Sequence, residues 1–132
     1  MKHLNDDKQM TDVWRLPAIA PWEKSCGKHP TQKPLALLTR IILASTEKNA
    51  WVLDPFAGSS TTGIAANLIG RRYLGIEKEK QFSEMSSRRR EEINNLKIYT
   101  DYRSKIKDIT KSEILEPSCF VCEDSIIYDL PF

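Results

Sequence analysis

The chain has 132 residues, with 20 lysines and arginines against 18 aspartates and glutamates, a formal net charge of +2 and three cysteines. That length holds one modest domain with a real core, and so small a net charge does not by itself mark a nucleic-acid binder. The polar lead Met1-Lys2-His3-Leu4-Asn5-Asp6-Asp7-Lys8 lacks the apolar centre of a signal peptide, and no apolar run reaches membrane-spanning length, so a soluble cytoplasmic protein is expected.

Residues 1 to about 11 read as a mobile lead. Val13-Trp14-Arg15-Leu16 reads as a short strand or the end of a longer one, and residues 17–27 as a loop. Within that loop Pro21-Trp22-Glu23-Lys24 has two readings, a contact with DNA or cofactor and a packed loop tryptophan; Cys26 receives no role. In Lys28-His29-Pro30-Thr31-Gln32-Lys33-Pro34 two prolines four apart fix an extended stretch. Pro34 then opens a helix over Leu35-Ala36-Leu37-Leu38-Thr39-Arg40-Ile41-Ile42-Leu43-Ala44, whose apolar residues recur at helical spacing. His29 has no partner at ligand spacing, the other histidine being His3, so neither a metal nor a catalytic base is assigned there.

Ala50-Trp51-Val52-Leu53 predicts a short buried parallel strand with Asp54 at its carboxyl end, where open α/β sheets place ligands. In the turn Pro55-Phe56-Ala57-Gly58-Ser59, Gly58 is free to take positive φ and let backbone approach a ligand, and Ser59, Ser60 or Thr61 can cap the following helix. No lysine follows Gly63 as a phosphate-binding loop requires, and Gly58 and Gly63 do not give dinucleotide-binding spacing. An acid at the strand end repels anions and suits the amino end of a cationic sulfonium amino acid. The next strand, Arg71-Arg72-Tyr73-Leu74-Gly75-Ile76, ends at Glu77, about two dozen residues on, the place of a carboxylate that takes ribose hydroxyls; capping of the next helix is the alternative.

A helix is expected from about residue 81 to 96, carrying Arg88-Arg89-Arg90. These read as a solvated face paired with Glu84, Glu91 and Glu92, with phosphate contact as the other reading. Residues 97–116 have mixed charge and weak periodicity, Pro117 breaks the pattern, and residues 118–128 form a strand candidate. Cys119 and Cys122 lack the second pair or histidines of a zinc site and read as reduced thiols.

Three runs, His29-Pro30-Thr31-Gln32-Lys33-Pro34, Leu53-Asp54-Pro55-Phe56-Ala57-Gly58-Ser59 and Gly75-Ile76-Glu77, resemble the carboxyl-terminal half of bacterial DNA amino-methyltransferases of the beta group. These enzymes transfer a methyl group from S-adenosylmethionine to adenine N6 or cytosine N4. The resemblance spans about residues 12 to 95. It implies a Rossmann-like α/β methyltransferase fold, a partial parallel sheet with helices on both faces. It also implies that Thr31, Gln32 and Lys33 line the methionine end of the cofactor, that Asp54, Phe56, Ala57, Gly58, Ser59, Ser60 and Thr61 form its main turn, that Glu77 holds the ribose, and that Lys78 neighbours the adenine. Where the family commonly has glycine, this chain has Ser60, whose Cβ restricts φ.

The family's catalytic loop, an Asp, Asn or Ser followed by Pro-Pro and an aromatic residue, holds the exocyclic amine of a base flipped out of the duplex. This chain contains no Pro-Pro. Asp129-Leu130-Pro131-Phe132 resembles the Asn-Leu-Pro-Tyr variant of related adenine methyltransferases, which makes Asp129 and Phe132 the catalytic candidates. In the family an acid at the next strand end contacts the adenine, a place that Glu123 or Asp124 could fill.

The expected organisation is a lead and loop over residues 1–27, a cofactor-binding core over 28–96 and a tail over 97–132 with a candidate extra strand. A half-sheet exposes unpaired backbone and an apolar face, so pairing is expected with a complementary amino-terminal segment or a second copy. Two functions compete. One is the cofactor-binding portion of a DNA methyltransferase that meets double-stranded DNA through the complete enzyme; the other is a non-catalytic cofactor-binding or partner-binding remnant.

Overall fold

A computed structural model describes residues 2–27, 29–115 and 126–128. Its helices are α1 (Leu35–Ser45), α2 (Thr61–Leu68), α3 (Lys80–Asn94), α4 (Leu96–Lys105) and α5 (Lys107–Leu115). The strands are β1 (Trp51–Asp54), β2 (Arg72–Ile76) and β3 (Ile126–Tyr128), which form one parallel sheet in the order β1-β2-β3. Val52 stands opposite Tyr73 and Asp54 opposite Gly75, so the carboxyl ends of β1 and β2 lie side by side.

Each helix has a local cause and a tertiary partner. In α1, Leu35, Thr39 and Ile42 are buried at a spacing that lines one face. Its first turn is held from outside: Leu35 N–H donates to Glu23 Oε2 at 2.8 Å, while Ala20 N–H reaches Glu23 Oε1 at 3.0 Å. At its far end Thr46 Oγ1 returns to the Ile42 carbonyl at 2.6 Å. α2 packs against both β1 and β2 and against α1, α3 and α4. A Cβ on Gly63 would stand 2.5 Å from Ser60 Oγ and from Tyr73 Cε1, so the absence of a side chain lets α2 sit down on β2.

The weakly periodic stretch after residue 96 folds as α4 and α5. The helix expected over about 81–96 is α3, which ends at Asn94, and Asn95 then caps α4, its Oδ1 accepting from Lys97 N–H at 3.0 Å. Tyr99, Tyr102, Ile106 and Ile109 then join Leu35, Ile64, Leu68 and Tyr73 in one core. Arg40 on α1 clamps Asp108 on α5 through two bonds of 2.7 and 2.9 Å.

Several expectations change. Residues 2–5 form a short 3-10 helix with Leu4 only 1% exposed against α5, so the lead is anchored by apolar burial. Residues 13–16 form no strand; Trp14 lies over the Arg40 guanidinium instead, 5.6 Å from ring centroid to cation. β1 is not buried. Trp51 and Leu53 are 55% and 61% exposed, because β1 is the sheet's edge and that face has no helix over it among the described residues. The α/β class holds, with α2 covering the face that carries Tyr73 and Gly75.

Candidate cofactor site

Two carboxylates stand at neighbouring strand tips, and both brace the turns beside them. Asp54 Oδ1 accepts from Phe56 N–H at 3.1 Å and its Oδ2 from Thr62 Oγ1 at 2.6 Å. Glu77 Oε2 accepts from Gly58 N–H at 2.7 Å and its Oε1 from Glu79 N–H at 2.8 Å. The Ala57 N–H adds a bond to the Ile76 carbonyl at 2.9 Å, so the turn after β1 is laced to the end of β2. An ionised carboxylate offers about four lone-pair sites. Each acid therefore keeps acceptor capacity for a ligand while holding its turn.

The turn has the conformation expected at Gly58, φ +53°. Ser60 is left-handed as well, φ +58°, although it carries a Cβ. It occupies the N-cap of α2 but makes no side-chain capping bond, contrary to the expected role of the three hydroxyls. Ser59 and Thr61 instead receive Arg89, the Ser60 hydroxyl is buried without a partner among the described residues, and Thr62 beside them ties to Asp54. Ala57, Gly58, Ser59, Ser60 and Thr61 are all buried, whereas Phe56 is 88% exposed beside the open face of β1.

The proline-braced segment closes one side. The His29 ring lies against Gly58, where an added Cβ would come within 3.1 Å of Nε2, and packs on Phe82 with centroids 4.2 Å apart. Thr31 N–H donates to His29 Nδ1 at 3.2 Å, which fixes the ring. Gln32 is buried, its Nε2 donating to the Glu23 carbonyl at 2.9 Å, and its Oε1 is a buried acceptor without a partner among the described residues. Thr31, Lys33 and Lys78 are exposed. Asp129 and Phe132, like Glu123, Asp124, Cys119 and Cys122, lie outside the described residues.

Four contributors were not legible as such. His29 is a wall, Phe82 its backing, Glu23 the anchor of α1, and Arg89 a buried donor to the turn. The arginine run did not mark Arg89, which is 5% exposed while Arg88 is exposed. Trp22 is the packed loop tryptophan, edge-on to Tyr102 at 4.8 Å.

The donor set fits S-adenosylmethionine. Acceptors at two strand tips suit the ammonium and the ribose diol of the cofactor, and an orphaned buried amide oxygen remains on the adjoining segment. Among the described residues no group of His, Cys, Asp and Glu forms a metal cluster.

Comparison with known proteins agrees. The DNA methylase family model for N6 and N4 methyltransferases matches residues 1–88. The chain is 57% identical over 107 residues to the type II methyltransferase M2.MboI of Moraxella bovis, covering 81% of this chain and 39% of that protein. It is 53% identical over 94 residues to M2.DpnII of Streptococcus pneumoniae, covering 71% and 35%. The crystal structure of the M1.HpyAVI–SAM complex superimposes with a TM-score of 0.54 at 41% identity, over 62% of this chain and 41% of that one. The chain thus spans well under half the length of these relatives. A parallel sheet with paired acids at its strand tips, a matching family model and relatives above half identity together place this chain in the N6/N4 DNA methylase family, whose cofactor is S-adenosylmethionine.

Proposed function

We propose that this chain is the S-adenosylmethionine-binding portion of a site-specific DNA methyltransferase, acting on adenine N6 in preference to cytosine N4, and that it works with a complementary segment carrying the Pro-Pro-aromatic catalytic motif. The observation that carries the reading is the pair Asp54 and Glu77, held at adjacent strand tips around the Gly58 turn. Asp54 receives the ammonium of the methyl donor and Glu77 its ribose hydroxyls. Thr31, Gln32 and Lys33 line the methionine end, residues 56–61 the turn, and Lys78 the adenine edge. Adenine is preferred because Asp129-Leu130-Pro131-Phe132 resembles an adenine methyltransferase loop, with Asp129 and Phe132 as the residues that would meet the base.

The need for a second segment is supported by the edge of β1, which no strand pairs among the described residues, and by the exposed row Trp51, Leu53 and Phe56. A strand added there would pair the open backbone and cover the apolar face. A second copy of this chain is the competing occupant. When bound, the cofactor would supply an electrophilic sulfonium methyl for direct in-line displacement by the base's amine, and the residues of this chain would hold and orient it. Positioning and charge arrangement supply most of the rate in such a site.

The test is titration with S-adenosylmethionine, then addition of a candidate amino-terminal segment and duplex DNA. Cofactor binding by this chain, abolished in Asp54→Ala, and methyl transfer only in the mixture are expected. Binding unaltered in both Asp54→Ala and Glu77→Ala removes the site assignment. Cofactor binding with no transfer under any pairing favours a non-catalytic remnant, the reading that the missing Pro-Pro motif supports.

A further inference from the structure

Arg89 is the centre of the arginine run on α3, yet it is as buried as the core. Its Nη1 donates to the Ser59 carbonyl at 2.7 Å, to Ser59 Oγ at 3.1 Å and to Thr61 Oγ1 at 2.9 Å. Ser59 and Thr61 are themselves only 3% and 5% exposed, so water does not compete for these bonds. Among the described residues Arg89 makes no ion pair, and its Nη2 is buried without a partner. Burial pushes its pKa down, opposed at longer range by Tyr102, Cys26, Glu23 and Glu92.

A guanidinium removed from water without a carboxylate in contact is costly. The bonds it makes must therefore matter to the segment that receives them. That segment is the turn with left-handed backbone at Gly58 and Ser60, on either side of the Ser59 carbonyl, and the Ser60 side chain does nothing to cap α2. Loops of this kind stay in a strained shape only where their surroundings over-determine it. One turn further along α3, Glu92 accepts from Ser25 Oγ at 2.8 Å and from Cys26 Sγ at 3.2 Å, so the same helix also tethers the loop that leads to His29.

We infer that Arg89 is a positioning residue for cofactor binding: it clamps Ser59 and Thr61 and so holds residues 57–61 in their receiving shape before the methyl donor arrives. The inference rests on the cofactor site proposed above. Preorganisation of this kind raises affinity by removing an ordering cost from the binding step. Because one nitrogen makes all three contacts, a lysine ammonium can replace part of the clamp.

The full chain as Arg89→Ala, Arg89→Lys and wild type is compared by circular dichroism, amide hydrogen exchange without cofactor, and titration with S-adenosylmethionine. Arg89→Ala is expected to keep its helical signal, to exchange faster at residues 57–61, and to bind about 10- to 100-fold more weakly, the scale of a lost charge-assisted hydrogen bond. Arg89→Lys recovers part of both, and millimolar guanidinium chloride restores Arg89→Ala while leaving wild type unchanged. Unaltered exchange with affinity within about twofold of wild type overturns the inference. So does a loss that neither lysine nor guanidinium repairs. If Arg89→Ala fails to fold, Arg89→Lys and Arg89→Gln decide: faster exchange confined to 57–61 supports the clamp, and uniform loss of protection along α2 and α3 overturns it. Failure of wild type to bind the cofactor strikes the proposed function instead, and the exchange data still report on the clamp.

Discussion

The Glu77 carboxylate accepts a 2.7 Å hydrogen bond from the Gly58 amide, joining the tip of β2 to the turn that follows β1. A side chain expected to meet a ribose is thus also part of the frame around it. This dual use separates two effects of mutation. Glu77→Ala should lower the stability of the cofactor-free chain by about 1 to 3 kcal/mol, because two backbone amides lose a charged acceptor. Glu77→Gln keeps one acceptor and should lose less. Urea denaturation without cofactor measures both, and no change in midpoint for Glu77→Ala would show that the brace carries no stability.

Ser60 supports a second expectation. A non-glycine residue in the left-handed region costs about 1 to 2 kcal/mol, partly offset by the greater freedom that glycine has in the unfolded chain. Ser60→Gly should therefore stabilise the chain by about 0.5 to 1 kcal/mol, read as a higher urea midpoint with an unchanged slope. A lower midpoint would mean that the buried hydroxyl contributes more than the strain removes.

Tyr73 sets an alkaline limit. Burial raises its phenol to about 12, with the Ser60 hydroxyl pulling in the opposite direction. Below about pH 10 both folded and unfolded chains keep the proton and the stabilisation is complete. From there to about 12 the unfolded chain ionises while the native phenol stays neutral, so stability falls by about 2 kcal/mol. Tyr73→Phe should flatten that limb relative to wild type in urea midpoints measured across pH 9 to about 12. Equal slopes would refute the assignment.

The Arg40–Asp108 clamp joins α1 to α5 with side chains only 14% and 4% exposed. Asp108 holds the Arg40 pKa above its ordinary value. Asp108→Ala leaves that cation buried without its partner and should cost about 3 kcal/mol. The double variant Arg40→Leu with Asp108→Ala should recover part of the loss. Additive losses in that cycle would show that the two residues act independently.

Much of the candidate site's local geometry was legible because its signals are local. A strand that ends in an acid, a glycine where backbone must turn left-handed, and a proline before an apolar helix each act within a few residues, and Asp54, Gly58 and Glu77 fall where those rules put them.

Tertiary structure alone decided which side chains are shared. Arg88, Arg89 and Arg90 are alike in sequence, and only the rotation of α3 against the 57–61 turn buries the middle one. Leu4 became core because α5 lies over it, and Val13 stayed exposed because no strand reaches it. His29 gained a place without gaining a chemistry, by stacking between Gly58 and Phe82. Propensity and turn chemistry are written residue by residue, whereas burial depends on what the rest of the chain brings alongside, and desolvation turns an ordinary surface arginine into a structural cation.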